Sequence, residues 1–360
     1  MKFMAGALIA LFSVVAGAQN AGDEAGDQAA QQVERQQTQP LNNAPVWREV
    51  RSGVPAETAV IGRETNVLIQ PTMKLPGLPA VSAGEAWRLA RPPLSTVGGA
   101  LIALSLLALA GFYRWRGSIE VHDKPTGRLI RRFSPTERIA HWSVAISFSV
   151  LGVTGLVMGL GKYVLLPVFG HTLFAWLADG SKALHNFTGP VFAVFLPILI
   201  AIFIRDNLPK AYDLGWLKTF GGMLSRKGSD APSGRFNAGE KILFWVLPCF
   251  LSVILVVTGL ILDFPNFDQT RRVMQQANLL HLISALLGIS VAFFHIYLGT
   301  VGQRGAYQAM RTGYVDEAWA KEHHSYWYAD VKAGRSRQRF DDDVPAETRS
   351  RVLQAIREGR

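Results

Sequence analysis

The sequence predicts an all-α membrane protein with five transmembrane helices. Of 360 residues, 49% are hydrophobic and 18% are charged, which is too apolar for a disordered chain. The apolar residues form five blocks of about 20 residues, the length that crosses a hydrocarbon core of about 30 Å. The basic residues behind the net charge of +10 flank these blocks on one side, which is the positive-inside pattern of a protein in a lipid bilayer. That placement argues against nucleic acid as a partner.

The first 18 residues have the features of a secretory signal peptide. Lys2 supplies the positive charge, residues 4–15 form a short apolar core, and residues 16–18 are an Ala-Gly-Ala cleavage site. An uncleaved anchor is the alternative, but the apolar run is shorter than a span needs. Cleavage would leave the new N-terminus outside the cytoplasm.

Residues 19–93 are predicted to form a periplasmic segment that is partly disordered. Residues 20–45 are rich in Ala, Gln, Asp and Gly and cannot bury enough apolar surface to fold. Residues 46–93 contain six scattered prolines and two tryptophans. This part is either an extended segment that folds against a partner or a plain linker.

Charge around the five spans predicts their topology. The spans are residues 94–113, 139–160, 184–204, 242–262 and 279–300. Lys and Arg are abundant in segments 114–138 and 205–235 and scarce in the two segments on the opposite side, so the abundant segments are cytoplasmic. The signal peptide predicts the same topology, with a periplasmic N-terminus, a cytoplasmic basic loop at 114–138 and a cytoplasmic C-terminal tail at 301–360.

Four of the eight histidines lie in or beside the predicted spans, where ionisable residues are costly and usually functional. His281 and His295 are 14 residues apart on the fifth span, so they share one helix face and lie about 21 Å apart along the axis. His185 begins the third span at the depth of His281, and His141 begins the second at the depth of His295. Two imidazoles at each of two depths are what two stacked six-coordinate haems require.

The single cysteine, Cys249, limits the type of cofactor. One cysteine forms neither an internal disulfide, nor an iron–sulfur site, nor the C-x-x-C-H attachment of a c-type haem. Any haem is therefore held non-covalently, and Cys249 is interpreted as a small buried hydrophobe. Small residues near the histidines suit a flat macrocycle and equally suit close packing of membrane helices. They are Gly152, Thr154, Gly155, Gly189 and Gly288. Surface or contact positions are expected for the other histidines, His122, His171, His323 and His324.

Several segments resemble the cytochrome b (gamma) subunit of respiratory formate dehydrogenases. They are Arg138–Trp142, Ala183–Gly189, Phe236–Lys241, Leu279–His281, Phe294–Tyr297 and the tail Trp319–Tyr328. The tail is more specific to this family than the histidines are. The resemblance covers roughly residues 130–330. The family is usually a four-helix bundle, so the first span and the N-terminal segment are additions.

The resemblance implies a four-helix transmembrane di-haem cytochrome b bundle at residues 139–300, preceded by one extra transmembrane helix. It also implies a three-subunit complex in the bacterial inner membrane, with a molybdenum or tungsten alpha subunit that oxidises formate and an iron–sulfur beta subunit. This chain would be the electron-transfer subunit rather than the formate-oxidising one. Electrons would enter at a periplasmic haem b held by His185 and His281. They would leave a cytoplasmic haem b held by His141 and His295 for menaquinone or ubiquinone.

The family's pattern places the quinone pocket at Asn237 and Gly239, near His295. An amide side chain and a glycine backbone can both hydrogen-bond to a quinone carbonyl or to an ordering water. The family commonly has Gln at the position of Glu240, whose carboxylate could relay protons or reach to the interface. Asn237 followed by Glu240 is also the pattern of a helix N-cap, and the two roles can coexist.

Two other functions stay open on the sequence. A cytochrome b subunit of a hydrogenase or of a thiosulfate-type reductase would hold the same haems and serve a different partner. A membrane anchor, or a transporter whose histidines bind a metal or move protons, would contain no reducible haem.

Overall fold

The structure is a computed structural model that describes residues 72–73, 81–223, 231–267 and 269–358. The predicted signal peptide and most of the predicted periplasmic segment lie outside these residues. The described residues divide into two compact units, one that ends at Val97 and includes residues 257–283, and the other made of described residues from 98–256 and 284–358.

Five helical segments of the described residues are long and apolar enough to cross a membrane. The helices from the first span to the last are α1 (Ala83–Arg116), α2 (Pro135–Val164), α3 (Leu166–Phe203), the short α4 (Asp213–Thr219), α5 (Ala238–Val246), α6 (Ser252–Asp263) and α7 (Arg271–Tyr297). A π-turn at Leu247–Leu251 joins α5 to α6, and another at Leu298–Gly302 extends α7. The predicted fold class is confirmed.

Two helices begin earlier than the apolar blocks predict. α1 begins at Ala83 and contains Pro92 and Pro93, so the end of the predicted extended segment is helical. α3 begins at Leu166, and the predicted loop before His185 is also helical, with a bend at Gly170. The bend has φ 71°, a left-handed value that glycine adopts without a Cβ clash.

Glycines bring the additional helix α1 close to its neighbours. A Cβ on Gly98 would lie 2.1 Å from Cδ1 of Leu286 on α7, whereas one on Gly99 would lie 3.7 Å from Cδ1 of Leu160 on α2. Such close approach is how membrane helices gain packing energy without a hydrophobic driving force. α1 is therefore packed on the bundle rather than attached only by its linker.

The predicted basic loop and C-terminal tail together form a folded domain, the tail domain (residues 117–134 and 303–358). Strand β3 (Leu129–Arg131) lies between antiparallel strands β4 (Tyr314–Asp316) and β5 (Phe340–Asp341). The described N-terminal part also contains a short antiparallel pair, β1 (Thr72–Met73) with β2 (Val81–Ser82). The tail-domain helices are α8 (Ala306–Thr312), α9 (Glu317–His323), α10 (Ser325–Lys332) and α11 (Ala346–Glu358). Its core residues include Leu129, Ile130, Val315, Trp319, Trp327 and Val352. The C-terminal tail and the basic loop are therefore folded against each other.

The tail domain buries two histidines for which surface or contact positions were expected, so a surface position is wrong for His323 and His324. Their exposed fractions are 2% and 1%. The His324 Nδ1 donates to the carbonyl of Gly234 at 2.8 Å, and the Ser233 hydroxyl donates to the His323 carbonyl at 2.9 Å. The tail thus holds the segment that leads into α5. His122 and His171 are exposed, as predicted.

Candidate functional site

The imidazoles of His141 on α2 and His295 on α7 face each other within one unit. Their ring centres are 6.0 Å apart and the ring planes are inclined by 57°. Within the described residues, the buried Nδ1 of His141 has no hydrogen-bond partner. The structure thus brings together two histidines that the sequence paired only by their expected depth in the membrane. That they bind one haem stays a prediction.

The first turns of α2 are tied to α8, which fixes the position of His141. Arg138 Nε and Trp142 Nε1 both donate to the carbonyl of Met310, at 3.1 and 3.2 Å. The Trp142 ring also meets the His141 ring edge to face, with centres 5.5 Å apart. These contacts of Arg138 and Trp142 therefore hold the helical turn that carries His141.

The other two predicted ligands each contact a threonine on the preceding membrane helix. Nδ1 of His185 on α3 lies 2.8 Å from Oγ1 of Thr154 on α2. In the other unit, Nδ1 of His281 on α7 lies 2.9 Å from Oγ1 of Thr258 on α6. That His185 and His281 bind one haem stays a prediction.

A glycine next to each threonine lets the histidine ring approach the helix backbone. A Cβ on Gly155 would lie 3.4 Å from Cε1 of His185, and one on Gly259 would lie 3.3 Å from Cε1 of His281. Gly189 was predicted to leave room for a macrocycle, and a Cβ placed on it would meet no atom within 4 Å. Ordinary van der Waals contacts surround the predicted positions Gly152 and Gly288.

The donor set fits haem iron better than a metal held by side chains alone. Within the described residues, no group of three His, Cys, Asp or Glu side chains could hold a metal ion. The facing imidazoles of His141 and His295, whose ring centres are 6.0 Å apart, would hold a haem iron between them.

The predicted N-cap at Asn237 is confirmed. Asn237 Oδ1 accepts from the Glu240 N–H at 2.9 Å, and the Asn237 N–H donates to Glu240 Oε2 at 2.8 Å. Gly239 is the second residue of α5, so its N–H has no acceptor inside the helix. A Cβ on Gly239 would lie 2.8 Å from Cη2 of Trp216, which explains why glycine occupies this position.

Two buried arginines join the starts of α2 and α5. Arg132 Nη2 donates to the Arg235 carbonyl at 2.8 Å, and Arg235 Nη2 donates to the Arg132 carbonyl at 2.6 Å. Arg235 also pairs with Glu137 at 2.9 Å, and Arg132 pairs with Glu240 at 3.2 Å. Each arginine precedes one helix and neutralises the capping carboxylate of the other, so Glu240 is engaged by a cap and an ion pair.

The starts of α2 and α5 belong to a sequence repeat, which is not seen when each motif is considered alone. Residues 132–137 read Arg-Phe-Ser-Pro-Thr-Glu and residues 235–240 read Arg-Phe-Asn-Ala-Gly-Glu. Further along, residues 153–156 and 257–260 are both Val-Thr-Gly-Leu. The threonine follows its cap by 154 − 134 = 20 residues in α2 and by 258 − 237 = 21 in α5–α6. The repeat marks both threonines that contact histidine.

Comparison with known proteins agrees with this architecture. The prokaryotic cytochrome b561 family matches residues 132–313, which is half of the chain. The chain belongs to this family. It is therefore a multi-pass membrane cytochrome b of the bacterial inner membrane, with haem b as the cofactor and electron transport as the role. The α1 helix and most of the tail domain lie outside the matched region.

Curated relatives narrow the comparison. The chain is 28% identical over 228 residues to the nitrate-inducible formate dehydrogenase cytochrome b556(Fdn) subunit of Escherichia coli strain K12, covering 60% of this chain and 98% of the relative. It is 32% identical over 206 residues to the cytochrome b556(fdo) subunit of the same organism, covering 56% and 93%. A Haemophilus influenzae formate dehydrogenase cytochrome b556 subunit is 33% identical over 213 residues, covering 56% and 82%. The resemblance found in the sequence is confirmed.

Proposed function

We propose that this chain is the membrane cytochrome b subunit of a formate dehydrogenase complex. The relatives named above align over 82% to 98% of their length. The proposed partners are an iron–sulfur beta subunit that delivers electrons and a molybdenum or tungsten alpha subunit that oxidises formate. The chain passes the electrons to menaquinone or ubiquinone and does not itself oxidise formate.

Four histidines hold two haems in this proposal. His141 and His295 are the ligands on the cytoplasmic side, and His185 and His281 are the ligands on the periplasmic side. The observation that carries the proposal is the 6.0 Å spacing of the His141 and His295 ring centres. Haem b bound in this way supplies a one-electron couple without an open coordination position.

Quinone binds at the start of α5 in this proposal. The cap uses Oδ1 of Asn237, so the Nδ2 group is the part of this amide that donates to a quinone carbonyl. The Gly239 N–H is a second donor because the first helical turn provides it no acceptor. The ion pair between Glu240 and Arg132 holds the cap in place beside the pocket.

The proposed orientation sets the direction of charge movement. The arginine-rich starts of α2 and α5 and the tail domain lie on the cytoplasmic side, in keeping with the positive-inside rule. Protons for quinol formation then come from the cytoplasm, whereas electrons come from the periplasm. Turnover builds a charge difference across the membrane.

The test uses the complex purified with its native partners. Formate as electron donor should give a b-type difference spectrum with two haems. H185A and H281A should each remove the same haem, and H141A and H295A should each remove the other and stop quinol formation. Two intact haem signals after any of these changes would contradict the pairing. Reduction by hydrogen and not by formate would identify a hydrogenase subunit, and a protein with no reducible haem would refute the cytochrome function.

A further inference from the structure

Two threonine hydroxyls lie against the pair of histidines assigned to the periplasmic haem. The Thr154–His185 and Thr258–His281 contacts measure 2.8 and 2.9 Å between Oγ1 and Nδ1. Both threonines are nearly fully buried, with exposed fractions of 5% and 3%. A buried polar pair at this distance is a hydrogen bond whose loss leaves an unsatisfied group.

The other hydrogen bond of Thr154 fixes the direction of its contact with His185. The hydroxyl has one proton, and it donates that proton to the carbonyl of Val150 at 2.8 Å. It therefore accepts from Nδ1–H of His185. A neutral imidazole with its proton on Nδ1 has an unprotonated Nε2, which is the form that binds iron.

The repeat supports the same arrangement at the second histidine. Thr258 occupies the same place in Val-Thr-Gly-Leu as Thr154 does, and each glycine that follows brings its ring close to the helix backbone. Each threonine contact therefore orients its ring through the hydrogen bond to Nδ1.

The cytoplasmic pair differs from this arrangement. Nδ1 of His141 is buried and has no hydrogen-bond partner in the described part of the chain. A ligand histidine that donates its second N–H becomes a more basic ligand and stabilises the oxidised metal. Within the described residues, His141 therefore has no counterpart of the Nδ1 hydrogen bonds that His185 and His281 make to threonine.

We propose that Thr154 and Thr258 are positioning residues that orient His185 and His281 as ligands of the periplasmic haem and lower its reduction potential. This inference rests on the function proposed above. It assigns a role to side chains that touch neither the haem iron nor the quinone.

The test replaces one hydroxyl at a time in the purified complex. T154V keeps the shape of the side chain and removes the hydrogen bond, and T258V does the same at the second histidine. Each should shift the midpoint potential of the periplasmic haem to a more positive value. Each should also change the largest g value of its ferric low-spin signal, which reports the angle between the two imidazole planes. Haem retention should weaken by about 10- to 100-fold, the usual effect of losing such a partner.

Two further variants separate positioning from general packing. T154S keeps the hydroxyl and should restore the original potential and g value. S147A removes a hydroxyl that is equally buried on α2, with 5% exposure, and that donates to the Ser143 carbonyl at 2.7 Å. It should change neither haem. Equal shifts in S147A and T154V, or no rescue by T154S, would overturn the inference.

The histidine variants distinguish failure of this inference from failure of the proposed function. If H185A and H281A remove different haems, the proposed pairing is wrong. If they remove the same haem while T154V and T258V leave its potential and g value unchanged, the pairing stands and the positioning role of the threonines is wrong.

Discussion

Lowering the pH should loosen the segment that leads into α5, because His324 is buried in its neutral form. The ring has 1% exposure and donates from Nδ1 to the Gly234 carbonyl. Burial, and then the neighbouring charge of Arg132, holds the pKa of His324 well below its ordinary value, and the hydrogen bond to Gly234 opposes this shift in part. The closed segment therefore excludes the protonated ring.

The sign and size of the effect follow from proton linkage. When the segment opens, the ring regains a pKa of about 6.5 and binds a proton below that pH. The stability that neutral His324 contributes is complete above pH 6.5 and is lost as the pH falls below it. Between pH 7.5 and 5.5 the loss is about 1.4 kcal/mol, or about tenfold in the opening equilibrium.

Hydrogen exchange measures this opening directly. Amides of α10 and of residues 231–236 should exchange about tenfold faster at pH 5.5 than at pH 7.5, after correction for intrinsic rates. H324N keeps a donor for the Gly234 carbonyl and does not titrate, so it should lose most of this dependence, whereas the neighbouring change H323N should keep it. The same tenfold change in H324N would refute the assignment to His324.

Two further changes test the start of α5. N237D removes the Nδ2 donor but keeps the cap, because Asp and Asn cap helices about equally. Quinol formation should slow, whereas both haems should stay and the free energy of unfolding should change by less than about 0.5 kcal/mol. Normal turnover would refute the quinone contact. G239A places a methyl group 2.8 Å from Trp216, so it should cost about 1–3 kcal/mol of stability and slow quinone reduction, both measured in detergent. G215A, at a position with nothing within 4 Å, is its control and should do neither.

The membrane helices could be predicted because their signal is local. Length and hydropathy of a short window decide whether a segment crosses a bilayer. Four of the five predicted spans lie within the helices found, and the third, 184–204, passes the end of its helix by one residue. The same signal does not show where a helix continues beyond the hydrocarbon core. The early starts of α1 and α3, at Ala83 and Leu166, lie in segments with prolines or charges, which apolar periodicity does not detect.

The tail domain could not be predicted because its contacts are distant in the chain. Ile130 pairs with Val315 in the sheet, and each strand has only two or three residues. Segments this short have no clear alternation of their own, and their apolar residues look scattered until a remote strand covers them. For the same reason, the burial of His324 could not be predicted from the sequence.

The histidines of the site were predicted from the sequence, but their contacts with the threonines were not. Helical periodicity places His281 and His295 on one face without any knowledge of neighbouring helices. The threonine contacts depend on how two helices pack, which sequence spacing does not give. The repeated Val-Thr-Gly-Leu marks both threonines in the sequence. That these threonines contact histidines can be seen only in the structure.

The π-turn at Leu247–Leu251 explains how the two repeats reach the same result with different spacing. From the cap at Ser134 to Thr154 there are 20 residues, and from the cap at Asn237 to Thr258 there are 21. In a regular helix the extra residue would rotate the threonine by about 100°, away from the position that Thr154 has. The π-turn bonds each N–H five residues back and so accommodates the additional residue. We infer that the π-turn is what allows Thr258 to contact His281 as Thr154 contacts His185.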